Sequence, residues 1–255
     1  MKASTLFAYL LFSSVAFTAP RLGHVLTQRG IAEFTRDAVS VNDVSRKSSA
    51  GAFIKARDSI TFTSLAAKIV VPTVIPRGEG GIGIYVGLQN SVSEHFVGIK
   101  INIEINPDDT VSFSAWCQWS PQVVVEVPAT ELPFGSSDTI SVNVAILSGG
   151  KSVLCRLAVP KKGAGTSREV SSSGQSFNPI EWDATWSVRP LEQHPKLAYF
   201  DTVSFSDASV IHDNDPIIYT VAGAEATSLT TTSGVVDAIE SFDEISSSVT
   251  VARLF

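Results

Sequence analysis

Short runs of alternating or β-branched residues constrain the fold of this 255-residue chain more than any other feature. In such runs successive side chains point to opposite faces of an extended strand. The runs recur throughout the chain from residue 59 onward, at 60–71, 82–88, 95–105, 110–119, 122–127, 139–147, 152–159, 185–189, 201–206, 217–221 and 247–253. Turn-forming residues separate them, and Asn106 to Thr110 predicts a hairpin connection. Many short strands with evenly spaced turns predict an all-β, antiparallel β-sandwich.

Three stretches lack this alternation. Residues 161–176 (KKGAGTSREVSSSGQS) are polar and rich in Gly and Ser, which predicts a surface loop. Residues 234–245 predict one short helical turn. Residues 20–58 carry mixed charge and little periodicity, so they predict either a pro-segment or a flexible linker. The dibasic pair Arg46-Lys47 within them is where a processing protease would cut.

The first 19 residues have the features of a signal peptide. Lys2 supplies a positive charge, a short apolar run follows, and the small residue Ala19 precedes Pro20. The run is too short and too interrupted to span a bilayer. The sequence therefore predicts a secreted protein with a signal peptide at 1–19, a pro-segment or linker at 20–58 and a β-sandwich domain at 59–255.

The charge balance limits the kinds of partner. The chain has a formal net charge of −6. Residues 1–47 carry six Lys/Arg and three Asp/Glu, so 13 basic and 22 acidic side chains remain after them, a net charge of −9. An acidic surface disfavours nucleic acids and anionic membranes as partners, and it suits a protein that works in acid.

Cysteine and histidine usage predicts neither a metal site nor a cofactor. The two cysteines, Cys117 and Cys155, either form one disulfide in an oxidising compartment or are separate buried apolar residues. The four histidines are scattered, and none stands at ligand spacing from a cysteine: His24, His95, His194 and His212.

The segment FSAWCQWSP, residues 113–121, predicts a strand with two different faces. Alternation places Trp116 and Gln118 on one face and the neighbouring Ala115, Cys117 and Trp119 on the other. One face is expected to be core and the other to line a groove. A second extended segment, IYVGLQN at 84–90, follows three glycines and contributes another aromatic residue, Tyr85.

These segments resemble the secreted glutamic peptidases (eqolisins) of fungi. FSAWCQWSP is similar to the family's Tyr-x-Ala-Trp-Tyr-Glu-Trp-Tyr-Pro, and LAYFDTVSFSDAS at 197–209 to its Phe-x-x-Val-x-Phe-x-x-Ala run. KIVVPTVIP (68–76), IYVGLQN and SSDTISVNV (136–144) follow the family's order. The resemblance covers residues 59–255 and implies a sandwich of two large antiparallel sheets, a concanavalin-like jelly roll. It also implies cleavage of peptide bonds in acid by a Glu and a Gln.

The family's Gln belongs to a Leu-Gln-x-Gly-(Val/Ile)-Asp strand, which HFVGIKINI at 95–103 resembles. Aligning Gly98 places Phe96 at the Gln position. A shifted register offers Asn102, whose amide is one methylene shorter. A displacement of about an ångström costs on the order of 10²-fold in rate.

The family's Glu begins an Ala-Glu-Trp-Ile-Val-Glu segment, and two stretches compete for it. ATWSVRP (184–190) places Thr185 at the Glu position, and its spacing to Pro190 and Phe200 fits. IEWDATW (180–186) retains an acid, Glu181, after a shift of four residues. The family's Glu between the two Trp residues becomes Gln118, whose neutral amide cannot act as a general acid or base.

Two function hypotheses follow. In the first, the chain is a glutamic-peptidase homologue with weak or no activity, in which any residual acid/base is Glu181 and the polarising amide is Gln118 or Asn102. In the second, it is a non-catalytic secreted module that holds an extended peptide or a glycan in an aromatic groove. The residues predicted to line that groove are Tyr85, Gln89, Trp116, Trp182 and Trp186.

Overall fold

The computed structural model describes most of the chain beyond residue 48, within the unit that spans residues 39–255. The described residues are 49–56, 61–77, 80–90, 95–120, 123–147, 150–171, 182–194, 197–212, 218–221, 224–230, 236–243 and 247–253. They form 18 β-strands and one short 3₁₀ helix at Pro160–Lys162. Every strand pairing among them is antiparallel.

The first sheet has seven strands. In chain order they are β1 (Ala50–Ile54), β4 (Gly80–Asn90), β5 (Phe96–Ile105), β6 (Val111–Trp119), β7 (Val123–Val127), β11 (Trp182–Arg189) and β15 (Glu225–Thr227). Their order across the sheet is β15-β1-β11-β4-β5-β6-β7.

The second sheet has nine strands: β2 (Phe62–Val70), β8 (Thr139–Leu147), β9 (Ser152–Val159), β10 (Ala164–Ser171), β13 (Thr202–His212), β14 (Ile218–Thr220), β16 (Leu229–Thr230), β17 (Val236–Asp243) and β18 (Ser248–Arg253). Eight of them follow the order β10-β9-β8-β2-β13-β18-β17-β16, and β14 pairs with β13. A separate two-stranded ribbon consists of β3 (Val74–Ile75) and β12 (Tyr199–Phe200). The predicted antiparallel sandwich of two large sheets is confirmed.

Alternating side chains explain why the two sheets pack face to face. On β4, Ile82, Ile84, Val86 and Leu88 point to one side and are all fully buried. The second sheet contributes buried residues with the same period, and together these faces form one hydrophobic cluster. Burial of apolar area at about 25 cal/mol per Å² is the main stabilising contribution to such a core.

A disulfide crosses this core. Cys117 on β6 and Cys155 on β9 are bonded, with 5.9 Å between their Cα atoms. Both residues are fully buried. Of the two alternatives for the cysteines, the structure contains the disulfide.

Three expectations about individual segments are wrong. Residues 161–176 were expected to form a surface loop, but Ala164–Ser171 is strand β10, paired with β9 over eight residues. Residues 234–245 were expected to form a helical turn, but Val236–Asp243 is strand β17, paired with β18. The stretch 20–58 was expected to lie outside the domain, but Ala50–Ile54 is strand β1, paired with both β11 and β15.

Among the described residues, no helix is long and apolar enough to cross a membrane.

The turn before β8 carries a carboxylate whose ionisation is coupled to folding. Asp138 Oδ2 accepts hydrogen bonds from Lys162 Nζ at 2.7 Å and from the backbone N–H of Gly135 at 2.8 Å. The hydrogen bond from Lys162, aided by that from Gly135, lowers the pKa of Asp138 below its ordinary value even though partial burial opposes the shift. A carboxyl group with a lowered folded-state pKa stabilises the fold above its unfolded-state pKa, about 3.9. That contribution disappears as the pH falls through the folded-state pKa.

Asp138→Asn is therefore expected to lower the thermal midpoint at pH 6 and to have little effect near pH 2. The Asn side chain still accepts the Gly135 N–H, so the substitution removes the charge and retains the turn. Thermal unfolding of both proteins between pH 2 and 6 measures this difference. A difference in midpoint that stays constant down to pH 2 would contradict the assignment.

Candidate functional site

The face of the first sheet that points away from the core carries most of the predicted site residues, and we call it the outer face. Residues that are directly opposite each other on neighbouring strands form rows across β11, β4, β5 and β6. One row is Thr185, Gly87, Gly98 and Gln118, and the next is Ser187, Tyr85, Lys100 and Trp116. Trp116 and Gln118 thus share a face, whereas Ala115, Cys117 and Trp119 are buried on the other, as the alternation predicts.

Two glycines form the middle of the outer face. Gly87 and Gly98 are Cα partners, and Gly98 has a φ of +153°, where side chains are rare. A Cβ atom on Gly87 would lie 2.2 Å from the carbonyl oxygen of Val97, and one on Gly98 would lie 2.4 Å from that of Val86. These contacts require glycine at both positions, because the two backbones approach too closely for any side chain.

The ring of Phe96 fills the space above these glycines. Its Cζ atom lies 2.9 Å and 3.0 Å from the positions that Cβ atoms on Gly87 and Gly98 would occupy. The ring also makes an edge-to-face contact with Tyr85, with 5.2 Å between centroids, and Phe96 is 2% exposed. An apolar ring therefore covers the centre of the outer face.

Thr185 lies beside this centre but has no acid/base capacity. It is fully buried, and its hydroxyl donates to Ser187 Oγ at 3.1 Å. Gln118 is three strands away in the same row, about 14 Å at a strand spacing of about 4.8 Å. Asn102 is four residues beyond Gly98 on β5, about 13 Å along the strand. The structure therefore does not bring either predicted amide next to Thr185.

Two cations lie over Tyr85. The Arg189 guanidinium carbon is 4.6 Å from the centroid of the Tyr85 ring, and Lys100 Nζ is 5.5 Å from it. Arg189 Nη2 also donates a hydrogen bond to Gln89 Oε1, so the Arg189 side chain lies along the outer face. Tyr85 and Gln89 were predicted to contact a ligand, but they are covered by these neighbours and are only 7% and 4% exposed.

Two of the predicted groove tryptophans are on the wrong face. Trp182 and Trp186 on β11 point into the hydrophobic core, where they are 5% and 0% exposed. Trp186 Nε1 donates to the carbonyl oxygen of Ala66 in the second sheet at 3.2 Å. The prediction that they line the groove is wrong, because alternation along β11 places Thr185 outside and therefore both tryptophans inside.

Glu181 lies outside the described residues, so its role stays a prediction. The structure instead shows a carboxylate that the sequence reasoning missed. Asp183 is on the outer face of β11 as the Cα partner of Gln89, it is 6% exposed, and its Oδ1 accepts the backbone N–H of Ala56 at 3.1 Å. The predicted strand 185–189 begins too late, and extending it back to Asp183 would have placed this carboxylate on the outer face.

An open cavity of about 230 Å³ lies over β5, β6 and β7. Its lining residues are Lys100, Asn102, Trp116, Gln118, Val124, Glu192 and Gln193. The last two belong to the segment after β11, which is tied to β5 by a hydrogen bond of 2.7 Å from Gln193 Nε2 to Glu104 Oε1. Sequence reasoning missed Glu192 and Gln193 because neither is part of a motif.

Asn102 differs from the other residues of this cavity. It is 7% exposed, and none of the described residues donates a hydrogen bond to its Oδ1.

Within the described part of the chain, no three His, Cys, Asp or Glu side chains are grouped so that they could hold a metal ion. The described residues of the outer face offer hydrogen bonding, stacking on Trp116 and charge.

Comparison with models of known protein families identifies one family. The model of the peptidase A4 family matches residues 47–253. A sequence search of curated proteins gives no match.

Three solved structures share the fold at low sequence identity. Scytalido-glutamic peptidase with a transition-state analogue inhibitor is 17% identical, with a TM-score of 0.62 over 82% of this chain and 98% of that chain. SCP-B, an eqolisin in complex with the tripeptide Ala-Ile-His, is 17% identical, with a TM-score of 0.58 over the same shares. Aspergilloglutamic peptidase from Aspergillus niger is 18% identical, with a TM-score of 0.54 over 74% of this chain and 99% of that chain.

Proposed function

Because this chain belongs to the peptidase A4 family, we propose that it is a secreted homologue of the glutamic peptidases whose own peptidase activity is weak or absent. The weak or absent activity is supported by one observation, the centre of the outer face. There the Phe96 ring covers Gly87 and Gly98, and the neighbouring polar residue is a buried threonine, Thr185.

Acid proteolysis in this family requires two groups that act together. A Glu takes a proton from the attacking water and then gives it to the leaving amine, while a Gln amide holds that water and stabilises the oxyanion. General acid/base catalysis contributes about 10²- to 10⁴-fold, and one oxyanion donor about 10²- to 10³-fold. The Thr185 hydroxyl does not ionise at any accessible pH, so it is a poor general base, and the Phe96 side chain has no hydrogen-bond donor. If they occupy the two catalytic positions, both contributions are lost.

The test is an acid proteolysis assay on the full chain. Denatured protein substrate is incubated with the folded wild type, Glu181→Gln and Asp183→Asn at pH 2–5, beside aspergilloglutamic peptidase as the active control. Peptide release by the wild type is expected to stay at the level of the two variants. Robust cleavage by the wild type would refute the proposal, and its loss in one variant would identify Glu181 or Asp183 as a displaced acid/base.

Secretion is the second part of the proposal, and it rests on the signal-peptide features of residues 1–19. N-terminal sequencing of protein recovered from the culture medium tests it. A start at Pro20 is expected if only the signal peptide is removed, and a start at Ser48 if the chain is also cut after Arg46-Lys47.

A non-catalytic binding module is the second candidate function. It is favoured by the open cavity beside Trp116, in which a buried amide oxygen of Asn102 has no donor among the described residues. Either a peptide or a glycan fits such a module in principle.

A further inference from the structure

We propose that the cavity lined by Lys100, Asn102, Trp116, Gln118, Val124, Glu192 and Gln193, here called the Trp116 cavity, binds one neutral pyranose ring. This inference rests on the second candidate function and assigns its ligand class. It does not depend on whether the chain cleaves peptides.

The first argument is the side-chain oxygen of Asn102. Asn102 is 7% exposed and lines the cavity, and its Oδ1 accepts no hydrogen bond from the described residues. A buried acceptor without a donor destabilises a fold, so native proteins retain few of them. A ligand hydroxyl or amide N–H in the cavity would donate to this atom.

The second argument is the indole of Trp116. Its Nε1 donates to Ser114 Oγ at 3.0 Å, which holds the ring in place on the sheet. Val124, 52% exposed, also lines the cavity and extends its apolar surface. A fixed aromatic ring beside an apolar side chain suits the apolar face of a pyranose, because axial C–H bonds point from that face while most hydroxyl groups lie around the edge of the sugar.

The third argument is the charge and hydrogen-bonding capacity of the polar lining. Lys100 is a donor, Glu192 an acceptor, and the amides of Gln118 and Gln193 supply both. The one cation and the one carboxylate compensate each other, so the lining favours a neutral ligand. Sugar hydroxyls both donate and accept, so they match a lining that offers donors and acceptors side by side.

The fourth argument is the limited room. Towards β4 the outer face is filled by Phe96, Tyr85 and Arg189, and the segment with Glu192 and Gln193 adds to the lining. The volume of about 230 Å³ is below the roughly 300–1,000 Å³ that is usual for larger ligands. An extended peptide needs an open path of about 3.3 Å for each residue, and the part of the outer face that Phe96, Tyr85 and Arg189 cover offers none towards β4. A compact ring fits better.

The full chain is titrated with methyl glycosides of glucose, galactose and N-acetylglucosamine to test the proposal. Calorimetry and ligand-observed NMR measure the binding. At least one glycoside is expected to bind with a Kd on the order of 1 mM, as expected for a ligand of about a dozen non-hydrogen atoms. Trialanine is titrated in parallel and is expected not to bind. Binding of trialanine without any glycoside, or of no probe at all, would overturn the proposal.

Variants then locate the site. Asn102→Ala and Trp116→Ala are each expected to weaken binding at least about tenfold. Asn102→Ala is also expected to keep or raise the thermal midpoint, because it removes a buried acceptor that has no donor. Unchanged sugar affinity in both variants would show that the ligand binds elsewhere and would contradict the assignment.

Asn143→Ala is the matched control. Asn143 lies on β8 in the second sheet, and its Nδ2 donates to Ser64 Oγ and to the carbonyl oxygen of Leu65, each at 3.2 Å. This substitution is expected to lower the thermal midpoint and to leave sugar binding unchanged. Asn102→Ala is thus expected to weaken sugar binding without loss of stability, whereas Asn143→Ala is expected to lose stability without loss of binding. This contrast distinguishes a ligand-binding amide from a structural one.

Discussion

Trp186→Ala is expected to lower the free energy of unfolding by about 3–5 kcal/mol, the usual effect of truncating a fully buried tryptophan. The side chain is 0% exposed in the core between the sheets. The substitution leaves a cavity and removes the donor to the Ala66 carbonyl oxygen on the opposite sheet. Denaturant unfolding at constant pH, with the m-value compared between the two proteins, measures the change.

Two further variants separate core packing from a surface role. Trp186→Phe retains most of the apolar volume and leaves the Ala66 carbonyl oxygen without its donor, so it is expected to cost about 1–3 kcal/mol. Trp116→Ala on the outer face is expected to cost less than about 2 kcal/mol, because Trp116 is only partly buried. A loss of stability for Trp186→Ala no larger than for Trp116→Ala would contradict the core assignment.

The disulfide is expected to contribute about 4 kcal/mol to the free energy of unfolding. Cys117 and Cys155 are 38 residues apart in sequence, and closing a loop of this length in the unfolded chain accounts for about this value. The Cys117→Ala/Cys155→Ala double variant is therefore expected to unfold at a clearly lower denaturant concentration than the wild type. Because both cysteines are fully buried, the variant also loses some packing.

A redox control isolates the bond itself. Unfolding the wild type in a strong thiol reductant breaks the disulfide and retains both sulfur atoms. Its midpoint is then expected to approach that of the double variant. If the free energy of unfolding of the double variant is within about 1 kcal/mol of that of the oxidised wild type, the disulfide does not restrain the unfolded chain as assumed.

Most of the fold was predictable because buried strands on two packed sheets have alternating apolar side chains. Two of the three missed segments lack this signal for identifiable reasons. Strand β10 (AGTSREVS) is at an edge of the second sheet, and Val170 is its one buried side chain, so its composition resembles a loop. Strand β1 (AGAFI) is only five residues long, and four of them are buried on both faces, so no period of two appears.

The candidate site was predictable only in part. Motif spacing placed Trp116 and Gln118 on one face, and Thr185 lies on the same face three strands away. The spacing did not reveal that Phe96, Arg189 and Lys100 fill the outer face, because these contacts join residues from three different strands. It also did not reveal Asp183, Glu192 or Gln193.

The sequence by itself determined the class of fold and the family, because the period of two and the order of the motifs are local properties of the chain. The tertiary structure decided which face of β11 is inside, which side chains cover Gly87 and Gly98, and that Asn102 has a buried oxygen facing a cavity. These features depend on the register between strands that are far apart in sequence. A shift of one residue in that register exchanges the two faces of a strand. Whether each side chain is buried in the core or lies on the outer face is therefore decided only when the sheets assemble.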